Sequence, residues 1–174
     1  MKLDFEIDKI TESIEKADTG ESFDTLLLPL TKDDLKETTK KNGWLFDWKI
    51  DFSKPERQVY KLVTEQDQKT IQGLVSLEKM PDHVYMHLVE NAPFNRGKGK
   101  KYLGVCGNLT AFGCKVSKIY GFGGAIVFEP KTALVPHYEK TLGAVMISDR
   151  RMAVFEEDAQ VLLDNYFPET EAES

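Results

Sequence analysis

Cysteine is scarce. The 174 residues hold two, Cys106 and Cys114. They fit neither a metal-ligand spacing nor a disulfide framework, so a reduced, cytoplasmic setting is expected. Long apolar runs are missing too. The N-terminal MKLDFEIDK carries no apolar signal region, and no stretch is long enough to span a bilayer. Positive charge is in deficit, with 23 Lys and Arg against 29 Asp and Glu and a formal net charge of −6. A bulk binder of nucleic acid is more often basic, so neither nucleic acid nor membrane is an expected partner. Histidine numbers three. His83 and His87 share one face of an expected strand, but no third ligand is evident, and no metal site is expected. No internal repeat and no long linker divides the chain. It reads as one domain over 1–174, with an N-terminal helical extension at 1–20 and a frayed acidic tail at 168–174.

What is present is a globular balance, 41% hydrophobic and 30% charged residues. The charge is uneven, because Arg96 to Lys101 places four basic residues in six. That suits a small anionic ligand better than a polyanion. The stretch around it, Val84 to Val116, organises the rest. Val84, Met86 and Leu88 alternate with Tyr85 and His87, with Val89 running on, as in a mostly buried strand. Pro93 ends that strand, since it cannot donate to a ladder. Tyr102, Val105, Leu109, Phe112 and Val116 then recur at helical spacing. Between strand and helix lie Arg96, Gly97, Lys98, Gly99, Lys100, Lys101 and Gly104. Glycines at a helix start let N–H groups approach a ligand, and the helix dipole favours an anion there. A phosphate-binding turn and a solvated basic loop both fit these residues.

In chain order, Asp4 to Ala17 is expected to be helical, with Phe5, Ile7, Ile10 and Ile14 on one side and Gly20 as its end. Phe23 to Leu30 reads as a strand or extended segment whose Leu26, Leu27 and Leu28 are core. Thr31 to Gly43 reads as a short helix opened by a Thr31-x-x-Asp34 capping box. Trp44 to Ile50 is an edge strand, a packing segment or an aromatic wall against substrate. Gln58 to Thr64 and Thr70 to Glu78 are paired strands that lead through a turn at Met80 to Asp82 into the central strand, a three-stranded meander. Gly121 to Phe128 is a glycine-led strand. Thr132 to Leu142 is a helix with Pro136 early and Gly143 as its stop. Ala144 to Ile147 and Met152 to Phe155 form a hairpin or one interrupted strand, and Glu156 to Phe167 a last helix.

This order, with the glycine-rich turn, resembles the GCN5-related N-acetyltransferase superfamily, most clearly from Gln72 to Phe155. The resemblance implies an α+β fold in α/β/α layers, with a mixed, mostly antiparallel twisted sheet flanked by helices. It implies acetyl-CoA as cosubstrate, its pyrophosphate held by backbone amides at the turn into the central helix. The family pattern is Gln/Arg-x-x-Gly-x-Gly/Ala. Arg96-x-x-Gly99-x-Lys101 and Lys101-x-x-Gly104-x-Cys106 both approximate it. The second is the better match, with Lys101 in place of Arg or Gln and Cys106 in place of Gly or Ala. The implied cofactor positions are Leu88, Val89, Lys101, Tyr102, Leu103, Gly104, Val105, Cys106, Gly107 and Tyr138. His137 to Ala144 resembles the family's Tyr-Glu-Lys-Leu-Gly-Phe segment, with one extra residue. Tyr138 there matches the general acid toward the departing thiolate. Lys131 falls where the family frequently has Asn. Glu90 resembles the strand-end acid that takes the amine's proton, and a loop-capping role is the alternative. An N–H near Val89 would polarise the thioester carbonyl. Cys106 at a helix start, with His137, is a remote candidate for a nucleophilic pair.

The implied activity is transfer of an acetyl group to a primary amine of a small molecule or protein. The alternative is a non-catalytic acyl-CoA-binding or protein-interaction domain on the same scaffold. A third reading uses Trp44 to Ile50 and the N-terminal helix as an interface, for instance of a homodimer. The acceptor amine has no recognised motif.

Overall fold

The computed structural model describes residues 2, 3, 5–8 and 13–168. The main sheet is built from β3 (Thr25–Pro29), β4 (Arg57–Thr64), β5 (Gly73–Lys79), β6 (Val84–Asn91), β8 (Ile126–Phe128), β9 (Val145–Met146) and β10 (Met152–Val154). Its order is β3-β4-β5-β6-β8-β10-β9. Every pair is antiparallel except β6 and β8. The parallel pair needs a crossover, and α2 (Val105–Ile119) supplies it. This is the mixed, mostly antiparallel sheet flanked by helices that the sequence led one to expect.

The meander follows from period-two burial. In β6, Val84, Met86 and Leu88 are buried while Tyr85 and His87 are half-buried. Helix α2 lays Val105, Leu109 and Val116 on the sheet. It begins at Val105, three residues after the expected start, because Tyr102–Leu103 is a short strand, β7. That strand pairs with β1 (Ile14–Lys16), which also pairs with β2 (Ser22–Phe23). Helix α3 (Val135–Leu142) carries Pro136 in its first turn, and Gly143 stops it. Helix α4 (Glu156–Tyr166) turns Ala159, Leu162, Leu163 and Tyr166 inward.

Three expectations are corrected and one set of alternatives is resolved. The N-terminal region is not a helix where it is described. Leu3, Phe5 and Ile7 are buried while Lys2 and Glu6 are exposed, an extended period of two, and Ile14–Lys16 is strand. Ile10 lies outside the described residues, as does the acidic tail beyond Pro168. Thr31 to Gly43 folds as two 3-10 turns, Asp33–Lys36 and Lys40–Asn42. The Thr31–Asp34 box does form in both directions, at 2.8 and 3.3 Å. Thr39 then caps the second turn by accepting from Asn42, which divides the segment. Of the alternatives for Trp44 to Ile50, the packing segment holds and the edge strand does not. Asp47 accepts from Lys49 N–H and starts α1 (Trp48–Ser53), with Trp44 and Trp48 buried and Leu45 and Ile50 exposed. Leu26, Leu27 and Leu28 are only half-buried, on the strand at one end of the sheet.

Helix α4 also meets the start of α2. A β-carbon on Gly107 would fall 2.6 Å from Tyr166 Cζ and closer still to its hydroxyl. Tyr166 is 1% exposed and has no room to turn away. Gly107→Ala should therefore cost about 2 kcal/mol of unfolding free energy, the usual scale of overpacking. Urea denaturation of the two proteins would measure it, and an unchanged midpoint would refute the contact.

Candidate functional site

Strand β6 ends in a carboxylate that is already engaged. Glu90 is 4% exposed. Its Oε2 accepts Leu45 N–H at 2.6 Å, and its Oε1 accepts Phe46 N–H at 3.3 Å and Trp48 Nε1–H at 2.8 Å. Arg96 Nη1 lies 3.6 Å from Oε2, while its Nη2 donates to Gly43 O at 2.5 Å. A general base needs a lone pair facing substrate, and three N–H groups take up most of these. Of the two readings of Glu90, these bonds fit the loop-capping one, and they anchor the loop that leads into α1.

Beside Glu90 opens a cleft of about 470 Å³. Val89, Cys106, Arg96, Lys98 and Lys100 line it, with Phe5 and Glu6 from the N-terminal segment. The turn into α2 borders it. Gly104 is the N-cap, at φ +91°, a left-handed conformation that glycine adopts without strain. The helix therefore opens in the Lys101-to-Cys106 register, and Arg96 to Lys101 lies ahead of β7. First-turn N–H groups have no carbonyl four residues back, and the dipole makes this end positive. Gly104 N–H donates to Asp8 Oδ1 at 2.8 Å, and Lys100 Nζ meets Asp8 Oδ2 at 3.0 Å. A carboxylate thus sits where the turn presents an amide and an ammonium together.

The rest of the turn is less available. Lys101 N–H donates to Phe94 O and its carbonyl accepts from Ala17 N–H. Its ammonium lies over the Phe94 and Tyr102 rings. Tyr102 N–H donates to Asn95 Oδ1 at 3.0 Å, and Leu103 pairs with Glu15 in β1. Cys106 is buried, with its thiol on Asn91 Oδ1 at 3.2 Å. Leu88 and Val89 are buried in β6.

Tyr138 is 0% exposed. Its ring packs on Phe5 and Phe128, and its hydroxyl donates to Phe5 O at 2.7 Å. His137 Nε2 accepts Ile7 N–H at 2.9 Å, so its proton sits on Nδ1 and nothing pairs it with Cys106. Leu3 N–H donates to Glu129 O, and Lys131 N–H donates to Leu3 O. These two residues present the edge of β8 that Ala125 presents to Val84, two and three strand repeats further along. The N-terminal segment therefore takes over from β6 as the neighbour of that edge. One segment, Leu3 to Asp8, touches both Tyr138 and the α2 turn.

Sequence reasoning missed that segment and the role of His137. The alternation of Leu3, Phe5 and Ile7 with Lys2 and Glu6 was the available signal. Elsewhere, burial pushes the Cys114 thiol up to about 12, which leaves it inert. Among the described residues no group of three or more His, Cys, Asp or Glu is placed to hold a metal. None of their helices is long and apolar enough to cross a membrane.

No family model matches the chain, and none of the curated proteins does. Solved structures do. Spermidine N-acetyltransferase from Vibrio cholerae, in complex with CoA and spermine, aligns at 18% identity and TM-score 0.52, over 78% of this chain and 98% of that one. A point mutant of spermidine N-acetyltransferase SpeG from the same organism gives 16%, 0.54, 78% and 95%. Nourseothricin acetyltransferase gives 16% and 0.44, over 57% of this chain and 65% of that one. The chain thus spans just under two thirds of that last protein. The spermidine enzymes show the fold: this chain has the architecture of the GCN5-related N-acetyltransferases.

Two outcomes test this geometry. Glu90→Ala strands three donors, one on fully buried Trp48, and should lower stability by about 3 kcal/mol or more in chemical denaturation. His87 is held below the usual imidazole range by burial, against the pull of Glu78 at 2.8 Å. A depressed pKa means the folded state favours the neutral ring. Its contribution is complete above the ordinary value of about 6.5 and fades as pH falls below it. His87→Gln should therefore lose less stability than the parent between about pH 7 and pH 5, as read from urea midpoints.

Proposed function

We propose that this chain is an acetyl-CoA-dependent N-acetyltransferase acting on a primary amine of a small molecule or protein. The observation that carries the reading is the Asp8 carboxylate on Gly104 N–H and Lys100. An anion at a glycine-capped helix start beside a basic loop is the chemistry a diphosphate would use. The residues present fit that group. Gly104, Val105, Cys106 and Gly107 supply the amides, and Lys98 and Lys100 the charge. Acetyl-CoA, when bound, supplies the activated acyl group. Val89 at the end of β6 borders the acyl position, where a main-chain N–H would steady charge on the carbonyl oxygen.

The amine nitrogen attacks the thioester carbon as the carbon–sulfur bond breaks. Tyr138, now buried with its hydroxyl on Phe5 O, donates its proton to the leaving sulfur once that contact opens. Glu90 acts as a positioning residue. It holds Leu45 and Phe46 at the cleft wall, and the amine's proton passes to solvent. The neighbour that binds spermine, together with the net charge of −6, supports a cationic acceptor. One observation favours a second reading, a binding domain without turnover: the strand-end acid is spent on the loop.

Calorimetric titration with CoA and thiol release over a panel of primary amines separate these readings. The enzyme reading expects binding and release. Binding without release selects the second reading, and no binding at millimolar CoA removes both. Gly104→Glu should abolish binding by setting a carboxylate and a strained backbone at the turn. Tyr138→Phe should lower kcat about a hundredfold, while KM for acetyl-CoA moves by about twofold or less. An unchanged kcat would reject Tyr138 as the acid.

A further inference from the structure

We infer that residues 3–8 form an intramolecular strap that competes with acyl-CoA for its site, so that ligand binding requires the strap to leave. The inference rests on the functional reading above. Its basis is that single atoms serve both occupants. Gly104 N–H and the Lys100 ammonium hold Asp8, and they are the groups proposed for the diphosphate. The Tyr138 hydroxyl donates to Phe5 O, and it is the proton donor proposed for the sulfur. The Gly104 N–H and the Tyr138 O–H each carry a single proton, so neither serves two acceptors in one geometry. Leu3 and Phe5 to Asp8 make contacts from the chain just past β8 to the turn into α2.

The strap joins the core by its side chains, while its described backbone makes an isolated bridge and no ladder. Leu3, Phe5 and Ile7 are 1%, 6% and 7% exposed, so its apolar side is seated. Among the described residues its polar contacts sit at separate points. Leu3 makes two main-chain bonds to the chain just past β8, Ile7 donates to His137, and Asp8 holds the α2 turn. The described backbone contains a single isolated bridge here, Leu3 with Pro130, and no ladder. A tethered segment of this kind acts at high effective concentration. The apparent affinity of a competitor then falls by the fraction of molecules whose strap is out.

The test is calorimetric titration of CoA into three proteins: the full chain, Asp8→Asn, and the chain lacking its first eight residues. Asp8→Asn should tighten CoA about tenfold by removing the competing charge, and truncation should tighten it further. A synthetic peptide of residues 1–8, added to the truncated protein, should restore the weaker apparent affinity. Equal CoA affinity in all three proteins overturns the strap and leaves the functional reading standing. CoA binding to none of them overturns that reading, and the competition with it. Should truncation prevent folding, amide exchange on the full chain decides. Saturating CoA should speed exchange at Ile7 and Lys131 at least about tenfold, as their partners separate. Protection retained at both amides with CoA bound refutes the strap.

Discussion

The architecture turns on how briefly β6 and β8 stay together. They pair in parallel at Val84 with Ile126 and Tyr85 with Val127, and β6 then continues to Asn91 with β5 but without β8. Two right-twisted strands that part leave backbone groups on facing edges without each other. Something must meet those groups. Here α2 starts at the mouth of the gap, α3 brings Tyr138 and His137 to its side, and Leu3 bonds to the chain just past β8. A fully paired strand couple would have produced a closed sheet with no site.

Glu90 shows how the same strand end binds a neighbouring loop. Its carboxylate replaces water with two main-chain N–H groups and the Trp48 indole, and Arg96 offsets the charge. Hydrogen bonds to an ionised acceptor are the strong kind, and this one keeps a fully buried tryptophan satisfied. The placement explains why Trp44 to Ile50 is not a strand. Its N–H groups point at a side chain, and Asp47 then starts a helix.

Much of this was legible in the residues. Strands β4, β5 and β6 announced themselves by alternation, and α2, α3 and α4 by helical spacing with Gly143 and Pro136 as punctuation. Gly104, the N-cap of α2, and Tyr138 both stood out in the sequence by their motifs. The misses share a cause. Short segments are decided by distant partners, which local pattern does not encode. Phe5, Ile7, Ile10 and Ile14 suit a helix on paper, but Phe5 and Ile7 are drawn out straight by Tyr138 and His137, more than a hundred positions away. Tyr102 has helical spacing yet pairs with Lys16 of β1. Glu90 has the placement of a base, and its environment is known only once the loop has folded over it.

The contact between Gly107 and Tyr166 carries a consequence for descent. The first turn of α2 and the last turn of α4 share one volume, so a side chain cannot be added at 107 while the ring at 166 stays in place. Among relatives of this chain the two sites should drift as a pair. A side chain at 107 should appear only where the ring at 166 has been lost, and that linkage would be readable from alignments without any structure.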